Sequence, residues 1–542
     1  MTAGHEETPV SRPRKGLVIA AGALAVAAIV VVGVLQLAPD GPTEPVAATE
    51  APPVQLTAAD VANQFLSAFA AGQAADAARL TDDEAAATTQ LAEVWRTLSP
   101  TAVTTVPATA EVPPPDATVV DEKFTLSWHW GVREWTYDSG LHLVKKEAGW
   151  RVNWRPTLVH PKLAAGQSLA LRDGNGQPAV VDRDGTPLVN RVGEDTAPAD
   201  PTLAPRLVGA MGRVAAGQGT AGGWYVALVD AAGKDLEVVY GSPTASLVST
   251  LSVPVQKAAQ AAVDSQPLPT MLVAIQPSTG DILAVAQNAA AGSEPTALNG
   301  LYPPGSTFKI ATATALVEGG VADVGTVVPC PGSTTVGQRT VTNAGFELGD
   351  VPLRTAFAKS CNTTFAEQAA KLAPPALGDA ADQLGLGADF DIPGITTEAG
   401  SVPDPANATE QVEDSIGQGR VQASCFGMAL VSATVASGGA VTPKLWRDLP
   451  TTVTTPYSAP PARVVGSLRT MMRDVVTAGR AGALARYGPV AGKTGTAEID
   501  GGAAHGWFTG YRDDLAFATL VVNGNTSDTA VAVTGTFLTA LG

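Results

Sequence analysis

The sequence predicts a multidomain α+β protein held on a single N-terminal transmembrane helix. Three observations carry that prediction. A charge-free apolar run extends from Gly16 to Ala38. The apolar period changes at Pro113-Pro114-Pro115, from every fourth residue before it to every second residue after it, the mark of helices followed by strands. From Met271 onward, short apolar strands and apolar helices follow one another, which reads as an antiparallel sheet flanked by helices. A chain of 542 residues is also too long for one core, and roughly two to four domains are expected.

Bulk properties narrow the function. The formal net charge is −17 and the pI about 4.7, so no basic face can neutralise phosphates and nucleic acid is excluded as a partner. Cys330, Cys361 and Cys425 are too few for a disulfide framework. One bridge could form outside the cytoplasm, and the sequence leaves the pair open. His5, His129, His142, His160 and His505 show no metal-ligand spacing. Neither a metal nor a cofactor is expected.

Residues 1–15 are polar and end in Arg12-Pro13-Arg14-Lys15, a cytoplasmic tail by its charge. Residues 16–38 exceed the about 20 needed to cross a bilayer core. A cleaved secretory signal has a shorter apolar region, about 7–15 residues, so an uncleaved anchor in the cell membrane is expected, with the rest of the chain outside. Residues 39–56, rich in Pro, Ala and Thr, make a linker. Thr57 and Asp60 fit a capping box, and Val61, Phe65 and Phe69 repeat every fourth residue before Gly72, predicting a helix. A second helical stretch runs from Asp82 to Leu98. Beyond the prolines, Phe124, Leu126, Trp128 and Trp130 alternate, followed by Leu141 and Leu143, then Trp150, Val152 and Trp154. That is an antiparallel meander whose aromatics serve as core. Residues 164–265 are less distinct, and within them Asp182 and Arg183 are expected to form a structural ion pair.

Met271–Ile275 and Ile282–Ala286 flank a Pro- and Gly-containing turn and predict a hairpin. Tyr302-Pro303-Pro304-Gly305 then breaks the chain before an apolar run that ends at Gly319-Gly320. This predicts a helix of about three turns with Ser306 in its first turn. Ser306 and Lys309 share one face, placing a hydroxyl beside an amine at the positive end of the helix dipole. Burial and a cationic neighbour lower a lysine pKa until the amine can take a serine proton. Residues 321–350 read as loop, and Leu353 to Ala369 as helix interrupted at Ser360-Cys361-Asn362. The Gly- and Pro-rich stretch 386–416 can border a cleft. Phe426 to Ser437 and Val464 to Val476 read as helices. Val490 to Ala497 reads as a cleft-edge strand paired with Trp507 to Tyr511, ahead of a strand Leu515 to Val522 and a terminal helix.

Three short patterns thus occur in order: Ser306-x-x-Lys309, Ser360-x-Asn362 and Lys493-Thr494-Gly495. With Pro304-Gly305 and Phe308 around the first and Trp507-Phe508-Thr509-Gly510 after the third, residues 267–542 resemble the transpeptidase (penicillin-binding) domain of class B penicillin-binding proteins. Cys361 stands where Asp is usual in the middle pattern. The ending Gly149–Trp154 with His160-Pro161 makes residues 57–160 similar to the nuclear-transport-factor-2-like domain of some of these proteins. Val181–Leu188 resembles the hairpin opening their pedestal, or dimerisation, domain (161–266), although Arg172-Asp173-Gly174 replaces the usual Arg-Gly pair. Ile416–Ser424 resembles a family loop leading into a core helix, with Cys425 where Pro is common.

The resemblance implies a D,D-transpeptidase that cross-links peptidoglycan stem peptides through an acyl-Ser306 intermediate and is inhibited by β-lactams. It implies Ser306 as nucleophile, Lys309 as base, Ser360 as proton relay, and Asn362 as donor to a substrate carbonyl. Lys493 keeps Lys309 neutral and draws in the terminal carboxylate, which Thr494 and Thr496 bind beside Gly495. The backbone N–H groups of Ser306 and Thr496 form the oxyanion site. A separate glycosyltransferase is implied as partner. Two rivals stand beside this reading. A β-lactam hydrolase of class A type would need a Glu with Asn four residues on, and Glu398 has Val402 there. A non-catalytic cell-wall scaffold of the same fold would not need the complete polar set.

Overall fold

The computed structural model describes residues 55–108, 113–193, 195–220, 223–243, 245–499 and 501–542. The expected tail, transmembrane run 16–38 and nearly all of the linker lie outside these residues. No described helix is long and apolar enough to cross a membrane.

The N-terminal part of the described chain is a small α+β domain. Thr57 caps the helix Ala58–Ala70 through the reciprocal bonds of a capping box with Asp60, which satisfies two free helix-end donors at once. Ala74–Ala78 and Glu84–Leu98 follow, the latter capped by Asp83. They pack on a four-stranded antiparallel sheet of Ala102–Pro107, Val119–Trp130, Arg133–Lys146 and Gly149–Val152, in that order. The meander is as expected, with Ala102–Pro107 as an added first strand. That strand carries one buried residue, Val103, so no alternation marks it. Phe65, Phe69, Leu126 and Trp128 are fully enclosed, and the aromatics are core.

The core of this domain extends past residue 160. Leu169, Val226 and Leu228 pack into the same cluster as Trp128 and Phe69. They come from Ser168–Arg172 and Tyr225–Val229, neighbours in a sheet completed by Asp235–Gly241. A second sheet, Leu247–Val248, Pro178–Val181, Pro187–Val192 and Asp195–Pro198, leads toward the C-terminal half. Here the expected Asp182–Arg183 ion pair is not formed. The Asp182 carboxylate is buried and accepts the N–H groups of Asp184, Thr186 and Val253. Arg183 turns away to donate to Gln276 and to face Asp281 at 3.7 Å. The chain turns directly after Asp182, and the free N–H groups of that turn satisfy the carboxylate better than a neighbouring guanidinium could.

The C-terminal half is built on one five-stranded antiparallel sheet, in the order Ile282–Gln287, Thr270–Ile275, Leu515–Val521, His505–Arg512, Ala491–Ala497. Every residue of Thr270–Ile275 is buried, so helices cover both faces. Val253–Asp264 and Ser527–Leu541 pack together on the sheet, and Cys425–Ser437 also packs on it. The last is buried on all sides, as its continuous apolar sequence requires. Ala491–Ala497 lies at the sheet edge, so its outer backbone is free to meet an extended ligand. Residues 321–350 are not the plain loop expected. They hold two small ladders, Val327–Cys330 with Gly349–Pro352 and Ser333–Val336 with Arg339–Thr342. Each strand is only four residues long, too short to display a period.

Candidate active site

Ser306 sits in a 3₁₀ turn, Gly305–Phe308, and the α-helix proper begins at Lys309 and runs to Glu318. The expected first α-turn is therefore tighter than an α-helix. The cause is Gly305, whose φ of 52° lies in the left-handed region. A Cβ there would stand 2.5 Å from the Thr496 carbonyl oxygen, so only glycine fits. Gly495 is equally constrained, with Pro304 and Thr307 pressed against it. Pro303 accepts the Trp507 indole N–H at 3.0 Å, and Gly305 N–H donates to Gly417 at 2.9 Å. The turn is thus pinned between the edge strand and the Gly417 loop, with Ser306 half-buried.

The middle motif is held by a different set of contacts. The helices Leu353–Lys359 and Asn362–Ala369 meet at Ser360, whose φ of 65° and ψ of 42° are left-handed. A non-glycine residue there stores strain of about 1 kcal/mol or more, so its surroundings must enforce it. Two restraints do so. Cys361 forms a disulfide with Cys330, which settles the pairing that the sequence left open. The buried Asn343 Oδ1 accepts the N–H groups of Asn362 and Thr363 at 2.8 and 3.2 Å. Cys425 is the free thiol, buried and pushed up to about 12 by desolvation, hence inert.

The five polar residues singled out from the sequence converge on one cluster. Lys309 Nζ lies 3.1 Å from Ser306 Oγ and 3.3 Å from Ser360 Oγ. It also donates to the Ser360 carbonyl at 3.0 Å and to Asn362 Oδ1 at 2.6 Å. Lys493 Nζ reaches Ser360 Oγ at 3.0 Å and the Thr494 carbonyl at 2.9 Å. Ser360 therefore stands between two amines. Both lysines are 0 % exposed. Burial, then the nearby Lys493 and Arg480, push the Lys309 amine well below the usual lysine range. Burial, then Arg480, lowers Lys493 to about 7. Phe365 and Phe357 rings lie 5.5 Å from the two amines and exclude water around them.

Asn362 gives one Nδ2 hydrogen to the Thr342 carbonyl at 3.0 Å, leaving a second to offer. Thr494 is nearly enclosed and Thr496 half-buried, its Oγ1 accepting the Ser527 N–H at 3.2 Å. Its O–H remains free to donate. Three contributors escaped sequence reasoning: Asn343, the Ser333–Thr342 ladder that supplies the Thr342 carbonyl, and Arg480. None lies in a patterned segment. Glu398, the residue weighed for water activation, is exposed.

Comparisons with known proteins bear on the family and the fold. A family model for the penicillin-binding protein transpeptidase domain matches residues 270–540, half of the chain. One for an NTF2-like N-terminal transpeptidase domain matches residues 57–167. The peptidoglycan D,D-transpeptidase PbpA of Mycobacterium tuberculosis is 30% identical over 205 residues, covering 31% of this chain and 40% of that protein. Its namesake in Mycolicibacterium smegmatis is 30% identical over 300 residues, 46% of this chain and 60% of that protein. The chain thus matches less than two thirds of these relatives' length. Among solved structures, the D,D-transpeptidase domain of a peptidoglycan glycosyltransferase from Eggerthella lenta has a TM-score of 0.57 at 24% identity, covering 68% of this chain and 98% of that one. An imipenem acyl-enzyme of penicillin-binding protein A from M. tuberculosis has a TM-score of 0.52 at 21% identity, covering 68% and 99%.

Proposed function

We propose that the chain, which belongs to the penicillin-binding protein transpeptidase family, is a peptidoglycan D,D-transpeptidase that works through an acyl-Ser306 intermediate. The observation that carries this is the 3.1 Å approach of the Lys309 amine to Ser306 Oγ in a buried, cation-crowded site. An amine kept neutral has a lone pair, and Ser306 O–H donates to it. The proton passes to Lys309 as Oγ attacks the carbonyl carbon of the penultimate D-Ala of a stem peptide. The N–H groups of Ser306 and Thr496 receive the oxyanion, a pair in which each donor contributes about 10²–10³ in rate. The free Nδ2 hydrogen of Asn362 holds the donor's amide carbonyl. Thr494 and Thr496, with Gly495 between them, line the place of the terminal carboxylate.

The C–N bond then breaks, and Ser360 O–H passes a proton to the leaving nitrogen and recovers one from a lysine. The amine of a neighbouring stem peptide repeats the sequence in reverse and takes the acyl group, regenerating Ser306. A β-lactam ring presents the same carbonyl and leaves its amine tethered, so it traps the acyl-enzyme.

The apolar run Gly16–Ala38 and its cationic flank support a single membrane anchor with the catalytic domain outside the cell. On this reading, glycan polymerisation belongs to a separate glycosyltransferase partner. Intact mass of the full-length chain after exposure to a penicillin tests the assignment. A stable adduct on wild type and none on Ser306→Ala is expected. Rapid drug clearance would favour a hydrolase, and no adduct at all a scaffold.

A further inference from the structure

Asp414 is a buried carboxylate beside the nucleophile turn that the reaction outlined above does not use. It lies in the helix Ala408–Ser415 and is 1 % exposed. Oδ1 accepts the Arg420 N–H at 3.1 Å, and a Cβ on Gly419 would lie 2.6 Å from the same oxygen. Oδ2 is buried and has no hydrogen-bond partner among the described residues. The loop held in this way leads straight to the nucleophile. Gly417 N–H donates to the Asp414 carbonyl at 2.9 Å, and the Gly417 carbonyl accepts the Gly305 N–H at 2.9 Å. A Cβ on Gly417 would stand 1.9 Å from the Gly305 carbonyl oxygen, so the two backbones touch at the residue before Ser306. Beside them, the Thr312 hydroxyl of the nucleophile helix donates to the Ser415 carbonyl at 2.7 Å.

We propose that Asp414 is a positioning residue for acyl transfer: its ionised carboxylate clasps the Arg420 N–H and so keeps the Gly417 loop on the nucleophile turn, and a proton on Oδ2 loosens that clasp. This rests on the transpeptidase reading and adds a pH control to it. Burial, opposed by the Arg420 N–H and guanidinium, raises Asp414 to about 6, against 3.8 for an ordinary aspartate. The folded chain thus holds this proton more tightly than the unfolded one, and stability is lost as pH rises from 3.8 to about 6. A neutral acceptor would serve the Arg420 N–H without that loss, so stability does not call for a carboxylate. Positioning does, because an ionised acceptor grips an N–H roughly twice as strongly as a neutral one, and small displacements of a nucleophile cost rate steeply. The neighbouring charges leave the group poised rather than paired. Glu410 and Glu413 of its own helix oppose ionisation, and the Arg420 guanidinium, which favours it, is shared with Glu410 at 3.1 Å and with the Asp404 carbonyl. On the elements packed around this helix, Arg339 pairs with Glu413 at 3.1 Å, Glu367 accepts the Thr334 hydroxyl, Lys371 donates to Gln368, and Lys309 points to Ser306.

Penicillin acylation of the full-length chain tests this, followed from about pH 5 to about pH 9 for wild type, Asp414→Asn, Arg420→Gln and the double variant. The wild-type rate divided by the Asp414→Asn rate cancels the lysine limb. At about pH 8 that ratio should be about ten, the size of one charge-assisted contact. It should fall toward one as pH drops through about 6, where wild type takes up the proton as well. At about pH 8, Asp414→Asn should unfold at no lower denaturant concentration than wild type, because it sheds a buried charge. Arg420→Gln keeps the N–H and removes the cation, so Asp414 holds its proton to higher pH. Its rate should fall near neutrality, stay within about twofold of wild type at about pH 9, and show no such fall in the Asp414→Asn background. Should Asp414→Asn fail to fold, the pH dependence of Arg420→Gln alone decides. An equal loss at every pH would mean that Asp414 merely braces the loop, and no loss at any pH would also overturn the proposal. A wild type that takes no penicillin at any pH would remove the transpeptidase reading itself, a result distinct from those two.

Discussion

Gly305 and Thr496 meet backbone to backbone, and a Cβ on the glycine would come within 2.5 Å of the threonine carbonyl oxygen. This single approach sets the distance between the nucleophile turn and the strand that carries the third motif. Gly305→Ala must either swing out of the left-handed region or push the strand aside. We expect a stability loss of about 1–3 kcal/mol and a larger fall in penicillin acylation, about 10²-fold, because both proposed oxyanion donors shift together. Denaturant unfolding beside acylation kinetics separates the two effects. Unchanged acylation would show that the turn is not held by this contact.

The site should show its lysines in pH profiles. Acylation needs Lys309 neutral, and burial, Lys493 and Arg480 all depress its pKa. The acid limb of the rate therefore lies well below the ordinary lysine value of 10.5. Lys493→Met removes one of those cations, so Lys309 holds its proton longer. The limb moves to higher pH and the rate at neutrality falls about 10²-fold or more. Stability follows the same sign. Between about 7 and 10.5 the unfolded chain keeps the Lys493 proton while the folded one has lost it. Folding therefore gains as pH rises through that window, and Lys493→Met should flatten the gain. Denaturant midpoints measured across the window check it.

The Cys330–Cys361 bridge closes a loop of 31 residues. The chain-entropy relation assigns such a loop about 3–4 kcal/mol, so Cys330→Ala with Cys361→Ala should lower stability by that order. The pair also restrains the Ser360 turn, and acylation should slow with it. Denatured protein alkylated without reductant should gain one adduct, at Cys425, and three after reduction. Three adducts without reductant would remove the bridge from the account.

Much of this was legible because chemistry and period coincide. Ser306 with Lys309, Ser360 with Asn362, and Lys493 with Thr494 are written as short spacings, and long elements such as Cys425–Ser437 announce themselves by continuous apolar sequence. What stayed hidden depends on partners distant in the chain. Asn343 reads as an ordinary loop residue until the Asn362 and Thr363 N–H groups are seen to converge on it. Asp182 beside Arg183 looks like a pair, yet each finds its partners elsewhere. The tight turn at Ser306 required knowing what lies across from Gly305.

Leu228 offers a test of how the N-terminal domain is built. With Leu169 and Val226 it packs against the Trp128 cluster, although it lies some 70 residues beyond the meander. Its strand, Tyr225–Val229, pairs with Ser168–Arg172 and Asp235–Gly241, so the small domain and the next share one wall. Truncation of a buried leucine costs about 2–5 kcal/mol when the site cannot collapse, and this wall is braced on both edges. We expect Leu228→Ala to destabilise the small domain by that amount, read from the fluorescence of its tryptophans. The penicillin acylation rate should stay within about twofold of wild type, because none of the Ser306 contacts passes through this wall. Loss of acylation in step with the tryptophan transition would show instead that the two halves unfold as one unit and that the wall transmits its strain to the site.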